Sequence, residues 1–518
     1  MVSTSPSPPI AMAQHAPLSH RQHRAPLAKV LASEKSLYPS MNAIKTPKKA
    51  KMQKVAPIRA QIGDHSEWIP LRASKHSRQT VNPIRRVTDS LSVEPNPNKT
   101  PIQLNLGDPT LTGCLPPSES VVAALRDAID SHRFDGYGPA IGTQSAREAI
   151  AEHFSCSEVP ISANDVVLAS GCSHALEMAI VAIADPGHNI LVPRPGFPLY
   201  STLCQPNGIK TRQYRLKMEE DGLIDLQHLE SLIDDRTRAI VVNNPSNPTG
   251  IVFPREHLEQ ILTLAQKYKL PIIADEIYGD LTYAEGVKFH PLATLSPRVP
   301  IITCDGIGKR YLVPGWRLGW LIMHNRFGVL SDVKAGIVSL SQKIVGPCAL
   351  IQGALPRILR DTPQSFFDNT KALLAKNSEI VYDILCQVPG LKPLRPQGAM
   401  YMMVGFDEEM YGDETGFLQR LIAEESVYCL PGSAFSLPNW FRLVLAFPEE
   451  TTREACERIA AFCTRHMRPC RKQLALWGSQ PDEEDGGGSE GAERTAAEES
   501  TSGEEEEDGQ RQSERSAE

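Results

Sequence analysis

A few polar side chains in the middle of this sequence recur at short, ordered separations, and each offers a different reaction step. Lys309 lies in Gly306-Ile307-Gly308-Lys309-Arg310-Tyr311-Leu312-Val313-Pro314-Gly315-Trp316-Arg317-Leu318-Gly319-Trp320, eight residues before Arg317. Lysine is the side chain that condenses with an aldehyde to give an imine, and its free amine moves protons. A guanidinium such as that of Arg317 suits an anion held at two points. Asp275 and Tyr278 share the run Ala274-Asp275-Glu276-Ile277-Tyr278, and Asn247 stands in Asn243-Asn244-Pro245-Ser246-Asn247-Pro248-Thr249-Gly250. Gly171-Cys172-Ser173-His174 falls where an apolar strand gives way to a helix. The free N–H groups of such a helix start, with the Ser173 hydroxyl, make a cup for an anion. Arg442 follows in Pro438-Asn439-Trp440-Phe441-Arg442, and Gly107 in Leu106-Gly107-Asp108-Pro109 lets the backbone approach a ligand closely.

Each run alone is a modest signal. In this order they resemble the signatures of the class I aminotransferases: the cofactor-lysine stretch 306–320, the Asn-Pro turn 243–250 and the Asp-x-x-Tyr strand end 275–278. The likeness extends over residues 78–468. Asn82-Pro83-Ile84-Arg85, Pro95-Asn96-Pro97-Asn98-Lys99-Thr100, Val192-Pro193-Arg194-Pro195-Gly196-Phe197 and Leu312–Trp320 resemble the tyrosine aminotransferase branch.

That resemblance implies pyridoxal 5'-phosphate as cofactor, carried by Lys309 as a Schiff base. It implies that Asp275 keeps the pyridine nitrogen protonated, so that the ring accepts electrons when a Cα–H bond breaks. Asn247 and Tyr278 then hydrogen-bond the ring hydroxyl oxygen, and Phe197 stacks on the ring. Cys172, Ser173, His174 and Arg317 hold the phosphate, with Tyr137 of Phe134-Asp135-Gly136-Tyr137-Gly138 reaching the phosphate of a partner subunit in a homodimer. Arg442, Gly107 and Asn247 take the substrate carboxylate. The implied reaction is ping-pong transfer of the amino group of L-tyrosine, or another aromatic amino acid, to 2-oxoglutarate. It gives 4-hydroxyphenylpyruvate and glutamate, a step of tyrosine and phenylalanine catabolism. One position departs from the wider pattern: many members carry Ser three residues before the lysine, where this chain has Gly306.

Plainer roles stand beside these. Asp275 also suits a strand-end helix cap, Asn247 a simple turn, and Tyr278 and Phe197 an ordinary core. Cys172 at a helix start has the setting of a nucleophile, although lining of the anion cup accounts for it better. An aminotransferase of other specificity or a lyase of the same fold would share Lys309, Asp275 and Arg442. A non-catalytic regulator would need a DNA-reading helix pair, and residues 1–75 lack the pattern for one. No P-loop, HExxH or zinc pattern occurs, so no metal is expected.

The elements that must position these residues follow from the apolar pattern. Strands are expected at Asp165–Ala169, Asn189–Val192, Ala239–Val242, Leu270–Ala274, Ile301–Thr303 and Leu318–Met323, with helices at His174–Ala184 and Arg255–Lys267 between them. Such alternation predicts an α/β domain with a mostly parallel sheet, and the resemblance implies the type I fold of pyridoxal-phosphate-dependent transferases. A helix over Phe366–Leu385, strands at Met400–Val404 and Arg442–Phe447 and a helix at Thr452–His466 predict a smaller α+β domain. The chain accordingly divides into a disordered basic tail (1–75), an arm with part of the small domain (76–135), a large cofactor-binding domain (136–360), the remaining small domain (361–470) and an acidic disordered tail (471–518).

Bulk properties bound the rest. Residues 1–60 hold ten Lys and Arg against one acid, Glu34, while residues 481–518 hold fifteen acids against three Arg. With a net charge of −7 overall, the body between is mildly acidic and gives no support to nucleic-acid binding. No apolar run is long enough to span a bilayer. The 11 cysteines are scattered with no CxxC pair, which predicts reduced thiols in a cytoplasmic or organellar setting. The basic N-terminal segment fits a mitochondrial transit segment, a nuclear address around Lys45–Lys51, or a solvated tail with no address.

Overall fold

The computed structural model describes residues 70–468. The tails expected at 1–75 and 471–518 lie outside the described residues, apart from 70–75. A short strand, β1 (Ile102–Gln103), precedes seven strands of one sheet. These are β2 (Val166–Ala169), β3 (Asn189–Arg194), β4 (Lys210–Arg215), β5 (Thr237–Asn243), β6 (Ile272–Asp275), β7 (Ile301–Gly306) and β8 (Gly319–His324). Their order is β2-β8-β7-β6-β5-β3-β4, and all run one way except β8, which lies antiparallel between β2 and β7. The sheet is therefore mostly parallel, as the alternation of strands and helices requires.

Both faces of this sheet are covered, which explains why its central strands read as continuous apolar runs. In β5, Ala239 and Val241 pack toward the helix Cys172–Ile183, while Ile240 and Val242 pack toward the helix Arg255–Tyr268. That second helix buries Leu258, Ile261, Leu262 and Ala265 on one stripe and ends at Lys269 in a left-handed conformation (φ 56°). The strand expected from Leu270 begins at Ile272, because Pro271 has no N–H to give the ladder. The strand β4, Lys-Thr-Arg-Gln-Tyr-Arg, shows little apolar pattern because it is the sheet edge; only Tyr214 is buried.

A second sheet uses the C-terminal part of the chain. β9 (Leu391–Pro393), β10 (Tyr401–Phe406), β12 (Leu430–Pro431) and β13 (Trp440–Val444) pair antiparallel in the order β12-β13-β10-β9, while β11 (Val427–Tyr428) pairs parallel with β1. Helices Gln364–Leu385, Glu414–Glu425 and Glu449–His466 share its core. Phe417 anchors this core, stacked on Phe406 at 4.6 Å and edge-on to Phe462 at 5.3 Å. The strand expected over Arg442–Phe447 instead starts at Trp440 and stops at Val444. Beyond it the Asn377 amide donates to the carbonyls of Leu445 and Phe447, both at 2.7 Å, so a side chain takes over from the ladder.

Candidate active site

The carboxyl ends of the parallel strands converge on one cavity of about 310 Å³. In open α/β sheets this edge is where ligands bind, because the strand-to-helix loops meet there. Gly171 and Cys172 follow β2, Phe197 follows β3, Asn243 ends β5 with Asn247 beyond it, Asp275 ends β6, and Lys309 follows β7. All of these line the cavity, together with Ser173, Tyr278, Arg317, Gly107 and, from the second sheet, Tyr401 and Arg442.

Asp275 lies at the floor with 2% of its surface exposed. Its Oδ2 accepts the Tyr200 hydroxyl at 2.6 Å, and its Oδ1 accepts the Ile277 N–H at 3.4 Å and the Cys172 thiol at 3.7 Å. Burial outweighs these bonds and pushes its carboxyl up to about 6. All three donors are neutral, so this carboxylate lacks a cation; a protonated ring nitrogen would supply one. Burial and Asp275 hold the Cys172 thiol well above its ordinary value, the opposite of a reactive thiolate.

Lys309 stands on the one-turn helix Ile307–Arg310, half-buried, and its Nζ donates to the Gly107 carbonyl. The neighbouring Arg310 turns away and pairs with Asp305 at 3.0 Å, which ties the helix back to β7. Tyr278 is buried at the cavity wall, its hydroxyl 2.8 Å from that of Tyr401. The Asn247 backbone N–H is held by Asn243 Oδ1 at 2.7 Å, which fixes the turn.

The opposite end of the cavity holds Arg442, 3% exposed. It donates to Asn247 Oδ1 at 3.0 Å and to the Asn105 carbonyl at 3.1 Å, while its Nε has no partner. No carboxylate among the described residues pairs with it, and burial lowers its pKa from the ordinary arginine value. Asn105 Oδ1 is likewise buried without a partner. The unpaired Arg442 N–H suits a bound carboxylate, whereas the Asn105 oxygen would need a donor.

The anion cup forms where Arg317 meets the start of the helix Cys172–Ile183. Arg317 is left-handed (φ 52°) and donates to Pro314 O at 3.0 Å and Ser170 O at 3.3 Å. Gly171 (φ 78°) lies under its fork, where a Cβ would sit 2.4 Å from Arg317 Nη2. A Cβ at Gly306 would lie 2.7 Å from the Leu318 carbonyl, which gives a steric reason for glycine there. Two expected residues sit elsewhere. His174 does not line the cavity; its Nδ1 accepts the Ser170 N–H at 3.2 Å. Tyr137 is 96% exposed and away from this cavity. Tyr200, Tyr401 and Asn105 reach or support the site without any motif announcing them, and Ile84 lines it from Asn82–Arg85, a run with no expected site role.

A family model for class I and II aminotransferases matches residues 99–459. The chain belongs to that family. Tyrosine aminotransferase of Caenorhabditis elegans is 59% identical over 401 residues, covering 77% of this chain and 86% of that protein. The human tyrosine aminotransferase is 48% identical over 408 residues, covering 78% and 89%. Among solved structures, tyrosine aminotransferase from Leishmania infantum superposes with a TM-score of 0.74 at 30% identity, covering 78% of this chain and all of that one. The fold of this aminotransferase is the type I fold of pyridoxal-phosphate-dependent transferases. Among the described residues, no helix is long and apolar enough to cross a membrane, and no group of three or more His, Cys, Asp and Glu could hold a metal ion.

Proposed function

We propose that this aminotransferase transfers the amino group of L-tyrosine and other aromatic amino acids to 2-oxoglutarate, with pyridoxal 5'-phosphate in the cavity at the strand ends. One observation carries the proposal: a buried carboxylate, Asp275, and a buried guanidinium, Arg442, line the same cavity as Lys309, and neither has a counterion among the described residues. When bound, the cofactor supplies an aldehyde for the lysine amine and a ring that takes up the electrons of a broken Cα–H bond.

The chain's own residues then divide the work. Lys309 holds the cofactor covalently until substrate arrives and afterwards moves the proton at the substrate Cα. Asp275 keeps the ring nitrogen protonated, and Tyr278 and Asn247 bond the ring oxygen. Cys172, Ser173 and Arg317 take the phosphate, with His174 fixing the loop that leads into the cup. Phe197 supplies the stacking face, and Arg442, Asn247 and Gly107 seat the substrate carboxylate. A second copy of the chain brings Tyr137 to the phosphate, so the working form is a homodimer. The 10 free cysteines among the described residues support a reducing compartment, the cytoplasm. Residues 76–135 supply an N-terminal arm and part of the small domain, residues 136–360 the large domain, and the chain from 361 the rest of the small domain.

The test is a transamination assay with tyrosine, phenylalanine, alanine and aspartate against a set of 2-oxo acids. Tyrosine with 2-oxoglutarate is expected to be the fastest pair. A clear preference for alanine or aspartate would overturn the substrate assignment.

A further inference from the structure

Tyr401 lines the cavity with a hydroxyl that none of the roles above employs. It opens β10, opposite Val444 of β13, and is 2% exposed. It touches three parts of the site at once. Its hydroxyl is 2.8 Å from the Tyr278 hydroxyl, with the two rings edge-to-face at 5.6 Å. Its ring face carries the Arg442 guanidinium, 4.1 Å from the centroid. The backbone of Gly107 passes over its hydroxyl, so that a Cβ there would lie 2.7 Å away, and the same glycine's carbonyl accepts Lys309 Nζ.

Two phenols in contact share one hydrogen bond: one donates, and the other is left with its own proton to spend. The charged and titratable groups facing the pair are Lys309, Arg442, Asp108 and Asp275. Burial pushes the Tyr278 phenol well up. Burial acts on Tyr401 in the same sense, but Lys309 and Arg442 overcome it and leave Tyr401 below the ordinary tyrosine value. In the role given above Tyr278 spends its proton on the ring oxygen, so within this 2.8 Å contact Tyr401 donates and Tyr278 accepts.

We propose that Tyr401 is a positioning residue of the transamination site: its hydroxyl donates to Tyr278, which leaves the Tyr278 proton free for the cofactor's ring oxygen, and its ring braces Arg442 for the substrate carboxylate. The inference rests on the pyridoxal-phosphate reading above. A hydrogen bond to the ring oxygen lowers the basicity of the neighbouring lysine-bound nitrogen; donation from Tyr401 polarises the Tyr278 hydroxyl and strengthens that bond, so loss of the Tyr401 hydroxyl raises the pH midpoint of the cofactor's visible band.

Two variants of the holoenzyme separate the two duties. Tyr401→Phe keeps the ring and removes the hydroxyl. Its visible-band midpoint is expected to rise by about 0.2 to 0.3 unit, a fraction of the worth of one neutral hydrogen bond, with KM for tyrosine close to wild type. Tyr401→Leu removes both and is expected also to raise KM, and the Kd of the amine-free analogue 4-hydroxyphenylpropanoate, on the order of fivefold. An unchanged midpoint in Tyr401→Phe overturns the hydroxyl's role. Unchanged KM and analogue binding in Tyr401→Leu overturn the brace. A wild-type protein that transaminates nothing and shows no visible band after incubation with the cofactor overturns the underlying reading itself, a result distinct from either.

Discussion

Arg442 and Glu276 show how differently two buried ionisable side chains behave in one molecule. Arg442 keeps its charge on an aromatic face and carbonyl oxygens, without a carboxylate among the described residues. Replacing it with methionine removes a buried charge and fills a similar volume, so the melting temperature should hardly change. The loss appears in binding: Arg442→Met should raise KM for tyrosine on the order of a hundredfold, about 3 kcal/mol for two charge-assisted hydrogen bonds. A KM within a few-fold of wild type in steady-state assays would remove the carboxylate from this end of the cavity. Glu276 instead gives up its charge. Burial pushes its carboxyl from 4.5 up to about 8, although Oε1 accepts the Leu292 N–H at 2.8 Å. A carboxyl that is more basic folded than unfolded favours the fold fully below the unfolded value, and that contribution disappears as pH rises through the folded value. Glu276→Gln keeps an acceptor and does not titrate. Its melting temperature relative to wild type should therefore climb between about pH 4.5 and about pH 8, followed by calorimetry across that range. At this scale the sequence exposes Lys309, Asp275, Asn247 and Tyr278, because short local runs carry them. It hides Tyr200 and Tyr401, whose partners Asp275 and Tyr278 stand 75 and 123 positions away and share no local pattern with them.

Among the elements, the central strands declare themselves by unbroken apolar runs, and their carboxyl ends place the site. The edge strand β4 and the exact limits of β6 and β13 are set by things a local pattern does not hold: a missing N–H at Pro271 and a distant amide at Asn377. Where β8 begins, close approach decides the residue. A Cβ at Gly319 would lie 2.5 Å from both the Cys172 nitrogen and the Gly171 carbonyl carbon. These are backbone atoms of the anion cup and cannot rotate aside. Gly319→Ala is expected to fold, since the sheet continues beyond it, but to lose cofactor affinity on the order of tenfold, about 1.4 kcal/mol. Dialysis against cofactor-free buffer followed by absorbance would measure this, and full retention would show that the cup tolerates displacement.

For the molecule as a whole, Tyr137 is the residue whose setting in a single chain contradicts its chemistry. A tyrosine 96% exposed in an irregular connecting segment has its ring in water. If the partner subunit's phosphate is its destination, each site draws on two chains. Mixing Lys309→Ala subunits with Tyr137→Ala subunits then produces some dimers with one intact site. Activity of the re-equilibrated mixture should exceed the sum of the two separate preparations, and simple additivity would show that each chain completes its own site.

The reversed strand β8 sets a constraint on length. β7 ends at Gly306, its ladder partner Gly319 opens β8, and between them run Ile307–Leu318, which carry both Lys309 and Arg317. Because β8 turns back beside β7, the loop leaves and re-enters the sheet at neighbouring points on one edge. Lysine and arginine are thus two marks on a single ruler pinned at both ends, and both line one cavity. Surface loops ordinarily absorb an added residue at little cost. Here an insertion between the marks leaves the pins in place and changes only the spacing, so the sheet survives while the ruler no longer measures the molecule it was cut for.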